Sequence, residues 1–261
     1  MTREWNAADY HRVSTPQAAW GRRVLARLDL DGAETVVDAG CGTGKLTFEL
    51  LERLPRGRVI CLDRSGNMLR VAREHLVSTF PDRVHFAQAD LTRVPLAECA
   101  DVVFSTATFH WVLDHPALFR ALHDVLKPHG RLVAQCGGAG NLDCVHEHAA
   151  RVMENARFEP YFRNWTRPWE FADAATTATR LAEAGFIDVD TSLEQAPTTF
   201  ADARALGAFL TTVVLRPHLA RLSEAVLQEA FVEQVVELSA AGTPALTLDY
   251  VRLNLSCRKR R

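Results

Sequence analysis

One ten-residue stretch constrains this chain more than any other: Val36-Val37-Asp38-Ala39-Gly40-Cys41-Gly42-Thr43-Gly44-Lys45. A short β-branched run reads as a buried strand. It ends in a carboxylate and passes into three alternate glycines that open an amphipathic stretch. Glycine allows a sharp turn and a close approach by a ligand. A helix that starts there presents free N–H groups to a polar group. From Thr35 to about Gln135 the pattern repeats. Strand candidates are Thr35–Ala39, Arg58–Leu62, Val84–Ala89, Asp101–Ser105 and Arg131–Gln135, and helix candidates Leu46–Leu54, Gly66–Val77 and Pro116–Leu126 lie between them. Lys127-Pro128-His129-Gly130 reads as the turn before the fifth strand. Such alternation predicts parallel βαβ units in a doubly wound sheet.

The rhythm breaks after Cys136. Leu142–Arg157 reads as a helix and Glu159–Phe171 as irregular; a helix at Asp173–Ala184, stopped by Gly185, and a strand at Phe186–Thr191 resume the alternation. About forty helical residues, Phe200–Ala241, precede a last strand, Tyr250–Cys257. At the other end, Ser14-Thr15-Pro16 reads as a helix start, followed by Trp20, Val24, Leu25 and Leu28 on one face. The chain is therefore divided into an N-terminal helical segment covering the site (1–32), an α/β core (33–136), a helical and aromatic insertion (137–172), continued core (173–196), a helical lid (197–246), and a final core strand with a basic tail (247–261).

Composition excludes several classes. Apolar residues make up 48% and charged residues 24% of the 261, the mix of an ordinary globular chain rather than a disordered one. Thirty basic against 32 acidic residues give a net charge of -2, which offers no global attraction for nucleic acid or an anionic membrane. No apolar run approaches a spanning helix, and Met1–Asp9 lacks the apolar core of a signal peptide. Six scattered cysteines read as reduced thiols, with cytoplasm as the expected compartment. Cys144-x-His146-x-His148 contains metal-ligand types, but residues two apart on a helix diverge by about 200°, so no metal is expected. Arg258–Arg261 reads as a solvated basic tail.

Two ligands suit the glycine loop. A dinucleotide fingerprint needs G-x-G-x-x-G and an acid about twenty residues on. Asp63 supplies the acid, 19 residues past Gly44, but Lys45 falls where the pattern places no lysine and the third glycine comes one residue early. Asp38 would also repel a pyrophosphate, whereas it suits a cationic group. With Asp38, Gly40, Gly42 and Gly44 in acid-x-G-x-G-x-G register, Asp63-Arg64-Ser65-Gly66-Asn67-Met68-Leu69 after the second strand and Ala89-Asp90-Leu91 after the third, the chain resembles the class I S-adenosylmethionine-dependent methyltransferases.

The resemblance implies a Rossmann-like seven-stranded sheet of order 3-2-1-4-5-7-6 with the seventh strand antiparallel. It implies that the glycine loop holds the methionine moiety of S-adenosylmethionine, with Asp38 near its ammonium, Asp63 on the ribose hydroxyls, Met68 near the adenine and Asp90 on its amino group. Cys41, Arg64, Leu91 and Thr106 complete the implied cofactor contacts, and S-adenosylhomocysteine is the implied product.

Ser105-Thr106-Ala107-Thr108-Phe109-His110-Trp111-Val112, after the fourth strand, resembles the group acting on small carboxylic acids that includes trans-aconitate and juvenile hormone acid methyltransferases. Trp5-Asn6, Tyr10 and Gln17 resemble the same group. By that resemblance Gln17 and Trp111 contact the acceptor and Tyr10 lies on the cofactor side. Both Gln17 and Trp111 carry N–H donors suited to an oxyanion. Leu215-Arg216-Pro217, in Arg216-Pro217-His218-Leu219 beside the apolar stripe Leu206, Phe209, Leu210, Val213 and Val214, and Arg252-Leu253 in the last strand resemble segments of the same group, and Arg216 and Arg252 are candidates to bind a carboxylate in a bidentate manner. Arg157, Arg163 and Arg167, among aromatic residues, are candidates to line the pocket. His110 is the candidate general base.

The expected activity is methyl transfer to a small-molecule acceptor, a carboxylic acid giving a methyl ester, with a hydroxyl, nitrogen or carbon nucleophile on an apolar metabolite as the alternative. An NAD(P)-dependent oxidoreductase, a catalytically silent S-adenosylmethionine-binding protein and an RNA methyltransferase are the readings from other classes.

Overall fold

A computed structural model describes residues 15–261, and of residues 15–18 the backbone alone. Tyr10 lies outside the described residues, as does the side chain of Gln17. In chain order, the elements are α1 (Thr15–Ala26), β1 (Thr35–Ala39), α2 (Lys45–Glu52), β2 (Arg58–Asp63), α3 (Gly66–Leu76), β3 (Val84–Gln88), β4 (Ala100–Thr106), a 3-10 turn (Phe109–Trp111), α4 (His115–Val125), β5 (Leu126–Gly137), α5 (Asp143–Met153) and α6 (Glu159–Phe162). They continue with α7 (Ala174–Glu183), β6 (Phe186–Gln195), β7 (Thr198–Thr199), α8 (Ala203–Phe209), a π-helical turn (Leu210–Val214), α9 (Arg216–Leu219), α10 (Ala225–Ala240), β8 (Thr247–Leu248) and β9 (Val251–Lys259).

Seven strands form one sheet of order β3-β2-β1-β4-β5-β9-β6, and β9 runs antiparallel to β5. Setting aside the two-stranded β7-β8 ribbon, this is the anticipated topology. β1 lies inside the sheet, parallel to β2 on one side and β4 on the other, with all five residues buried. A central parallel strand covered on both faces needs an unbroken apolar run, which Thr35-Val36-Val37 begins.

Neighbouring strand residues point to opposite faces. Val37, Val103 and Leu132 join Phe109, Leu118, Phe119 and Leu122 in one core cluster. Val36, Val102 and Val133 join Leu50, Leu51, Val59 and Leu76 in the other.

The helix starts are written in the sequence. The side chains of Ser65, Asp114, Asp173 and Asp202 accept the backbone N–H three residues on, at 3.3, 2.9, 2.8 and 2.7 Å. Each such cap contributes about 1 kcal/mol by satisfying a donor the helix leaves open. Gly185 ends α7 with φ +99°, a conformation glycine adopts without steric cost.

Three expectations need correction. Phe200–Ala241 is not one helical stretch: the π-helical turn, a short α9 and the break at 220–224 interrupt it. Propensity alone reads straight through such breaks. β5 starts at Leu126 rather than Arg131, because Ala100 pairs with Leu126 and Val102 with Arg131, so Lys127–Gly130 is a bulge within the strand; His129 takes φ +66° there. Arg258 and Lys259 continue β9, and the Lys259 ammonium donates to the Leu126 carbonyl at 2.8 Å, so the basic run is partly built into the sheet.

Two compact units emerge from the contacts. One holds 15–139, Trp169–Glu194 and Arg252–Arg261, that is, nearly all of the sheet and its flanking helices. The other holds Gly140–Pro168 and Gln195–Val251, a helical body built on α5 and α10. Its centre is an aromatic cluster in which Phe158 packs edge-on to Phe231 at 5.3 Å and Trp165 stacks on His218 at 4.5 Å. Among the described residues, no helix is long and apolar enough to cross a membrane.

Candidate active site

The loop between β1 and α2 is where glycine is indispensable. Gly40, Gly42 and Gly44 all have positive φ, at +87°, +55° and +79°. A Cβ on Gly40 would lie 2.1 Å from the Thr108 hydroxyl, so the loop lies directly against the end of β4. A Cβ on Gly42 would meet nothing within 4 Å. The loop is thus tight against protein on one side and open at its middle glycine, the shape a bound group requires.

Asp63, at the end of β2, organises the loop. Its Oδ2 accepts the Gly42 N–H at 3.0 Å and its Oδ1 the Ser65 N–H at 2.8 Å. The N–H groups of Gly40 and Cys41 donate to the Leu62 carbonyl at 2.8 and 3.0 Å. Asp90 follows β3, where the Ala89 N–H donates to the Asp63 carbonyl at 3.0 Å. Its carboxylate accepts from the Thr92 N–H, which holds its pKa below the usual value. Asp63 and Asp90 therefore close adjacent strand ends beside the open glycine. Met68 is buried in the first turn of α3, Arg64 is exposed just before it, and Thr106 closes β4.

Asp38 sits deeper than the sequence indicates. It is 3% exposed, accepts the Thr47 hydroxyl at 2.6 Å, and its pKa is raised to about 7 by burial, with Asp63 adding to the rise and Thr47 opposing it. Cys41 packs toward Cys61, and their proximity with burial pushes its thiol well up. The side chain of Leu91 lies in the core cluster with Val37 and Phe109.

A second group gathers where β4, β5 and β9 meet. The 3-10 turn places His110 and Trp111 after β4. The His110 Nδ1 accepts the N–H of Gly137, the last residue of β5, at 3.2 Å. Across the ladder Gly137 pairs with Arg252. The Arg252 guanidinium is 3% exposed and lies 4.8 Å over the Trp20 ring of α1, a cation–π arrangement. Trp111 meets Trp169 edge-on at 6.3 Å. Burial and then Arg252 and His115 lower the His110 pKa to about 3.

The turn itself is held from behind. The Phe109 carbonyl faces the His115 Nε2 at 3.2 Å, the His115 Nδ1 faces an Arg180 N–H at 3.1 Å, and Arg180 pairs with Glu170. The backbone N–H of Glu170 donates to the His110 carbonyl at 2.9 Å. Sequence reading missed His115, Glu170 and Arg180. They are 55 to 65 residues apart along the chain apart from the Glu170–Arg180 pair, and no local pattern marks them.

Arg216 opens α9 in the helical unit, directly after the π-helical turn. Arg163 is exposed and paired with Glu159, four residues earlier, and Arg157 lies over the Phe158 ring at 5.7 Å. Along α5, His148 faces the Ser239 hydroxyl at 3.0 Å, while His146 lies against His218 with ring centres 6.2 Å apart.

Comparison with known proteins agrees with this geometry. A family model described as a methyltransferase domain matches residues 30–182, more than half of the chain. A trans-aconitate 2-methyltransferase of Azoarcus sp. (strain BH72) is 34% identical over 230 residues, covering 84% of this chain and 83% of that protein. One from Rhizobium leguminosarum is 29% identical over 256 residues, covering 93% and 92%. Among solved structures, Haemonchus contortus phosphoethanolamine N-methyltransferase 2, bound to phosphomonomethylethanolamine and S-adenosylhomocysteine, superposes with a TM-score of 0.65 at 17% identity, covering 98% of this chain and 57% of that one. The cyclase SpnF superposes with a TM-score of 0.61 at 18% identity, covering 93% and 81%. The likeness to a cyclase shows that this fold alone does not fix the chemistry. The glycine loop with its strand-end acids, the sheet order and the matches to family and relatives converge: the chain belongs to the S-adenosylmethionine-dependent methyltransferases.

Proposed function

We propose that this enzyme methylates a carboxylate of a small organic acid, giving a methyl ester. The observation that carries the reading is the buried guanidinium of Arg252 at the carboxyl edge of the sheet, beside His110. Ligands of open α/β sheets bind beyond the carboxyl ends of the strands. An arginine taken out of water there is suited to an anionic partner, and its planar fork matches a carboxylate. The relatives named trans-aconitate 2-methyltransferases support the same class of acceptor.

The glycine loop fits S-adenosylmethionine. Gly42 leaves the space, Asp63 and Asp90 offer carboxylate oxygens for ribose and adenine, and Asp38 lies behind the loop. Bound there, the cofactor supplies an electrophilic methyl group on a sulfonium. The protein's own part is chiefly positional. Arg252, Trp111 and, on sequence grounds, Gln17 orient the acid, while Met68 and the loop orient the cofactor. Holding nucleophile and methyl carbon about 3–3.5 Å apart removes most of the entropic barrier. A carboxylate is already a nucleophile, so no deprotonation precedes transfer.

The test is an acceptor screen with purified enzyme, S-adenosylmethionine and di- and tricarboxylic acids, trans-aconitate included, read by mass spectrometry. The expected product is a methyl ester that mild alkali hydrolyses. Methylation confined to amines or alcohols, stable to alkali, would replace this reading.

A further inference from the structure

His110 has the residue type of a general base but not the geometry. A backbone amide can only donate, so the Nδ1 that accepts the Gly137 N–H must carry the lone pair. In the neutral ring the proton therefore resides on Nε2, on the ring edge turned away from Gly137. For Nε2 to take a proton from a substrate, it would first have to lose its own. Nδ1 would then have to be protonated against the Gly137 amide. The imidazolium is opposed as well. From β9 the ring faces Arg252, and from α4 His115, which is itself faced by Glu170 and Arg180. Burial adds to this, and the outcome is a pKa of about 3.

The ring is also held in place. It lies between Trp111, at 5.1 Å, and Phe171, at 5.7 Å, and its carbonyl is fixed by the Glu170 N–H. A fixed neutral donor next to a buried guanidinium is an arrangement for recognising an anion.

We infer that His110 serves the reaction as a neutral Nε2–H donor to the acceptor carboxylate, on the oxygen that is not methylated, and not as a general base. This rests on the carboxylate reading above. The proton balance is consistent with it. The new C–O bond uses a lone pair of the carboxylate, the breaking C–S pair stays on sulfur, and no proton leaves the acceptor.

Four measurements on the full chain test it. His110→Asn keeps an acceptor for the Gly137 N–H but has no group that reaches the place of Nε2. It should raise KM for the acceptor about 10- to 100-fold, the worth of one hydrogen bond to a charged group. Its affinity for S-adenosylhomocysteine should match that of the parent, which also shows that the variant is folded. His110→Gln, whose amide nitrogen reaches further, should recover part of the loss. With cofactor saturating, the profile of kcat/KM against pH should have the same shape for the parent and His110→Asn. In the nitrogen spectrum of histidine-labelled parent protein, the His110 ring should stay neutral and Nε2-protonated between about pH 5 and pH 8.

Loss of an acidic limb in His110→Asn, a ring that titrates in that range, or an unchanged acceptor KM would overturn the assignment alone. A parent enzyme that binds S-adenosylhomocysteine but neither binds nor methylates any carboxylic acid would remove the carboxylate reading and this assignment with it.

Discussion

The two halves of the proposed site are built by different means. The cofactor half is mostly backbone: three glycines at positive φ, two N–H groups on the Leu62 carbonyl, and acids at the ends of consecutive strands. The proposed acceptor half is made of side chains gathered at the carboxyl edge of the sheet: His110 after β4, Arg252 on β9 and Trp20 on α1, with Gly137 of β5 bonded to His110 and paired with Arg252. A backbone cradle tolerates little change. A side-chain cluster can be rebuilt residue by residue while the cradle stays, so one fold can serve many acceptors.

The largest expected effect comes from pressing on the cradle. Gly40→Ala drives a Cβ into Thr108 at a positive φ and should cost about 2–5 kcal/mol of stability, read as the urea midpoint, along with most cofactor binding. Gly42→Ala has open space and carries only the strain of its φ, about 1–2 kcal/mol. Its loss should therefore fall mainly on S-adenosylhomocysteine affinity. Equal damage to stability from both would show that the middle glycine does not face a ligand.

Next come the charges. Asp63→Ala removes two acceptors of backbone N–H groups and should weaken S-adenosylhomocysteine binding at least tenfold in a calorimetric titration. Arg252→Met should raise the acceptor KM by a similar factor through loss of a charge-assisted pair, leaving cofactor affinity unchanged.

The pH effect is smaller and has a definite sign. The folded Asp38 carboxyl holds its proton up to about pH 7, whereas the unfolded one loses it near 3.8. The folded state thus binds more protons between these values, and stability falls as pH rises through that window. Asp38→Asn should flatten that part of the curve of Tm against pH in the ligand-free protein. An unchanged slope would assign it to other groups. The smallest effect is Arg163→Ala, which removes an exposed pair and should leave the urea midpoint unchanged.

The same contrast explains what the sequence made legible. β1 is read with both ends correct because a Val-rich run meets a glycine loop. α3 and α7 are read to within a residue because Ser65 and Asp173 cap them and Gly185 stops α7. The strand-end acids were found because each sits at a fixed offset from a local pattern. The neutral tautomer of His110 was not legible, since it depends on Gly137, 27 residues away and on another strand. The His115–Arg180–Glu170 support was not legible for the same reason. The depth of Asp38 was hidden too, because its partner Thr47 belongs to a helix whose rotation the sequence does not specify.

The most direct measurement is a titration of S-adenosylhomocysteine into the parent, Asp63→Ala and Arg252→Met proteins, with NADP⁺ as the control ligand. The expected result is tight binding to the parent and to Arg252→Met, severe weakening in Asp63→Ala, and no binding of NADP⁺. Loss of binding in a folded Arg252→Met, or near-normal affinity in Asp63→Ala, would contradict the division of the site into a backbone half for the cofactor and a side-chain half for the acceptor.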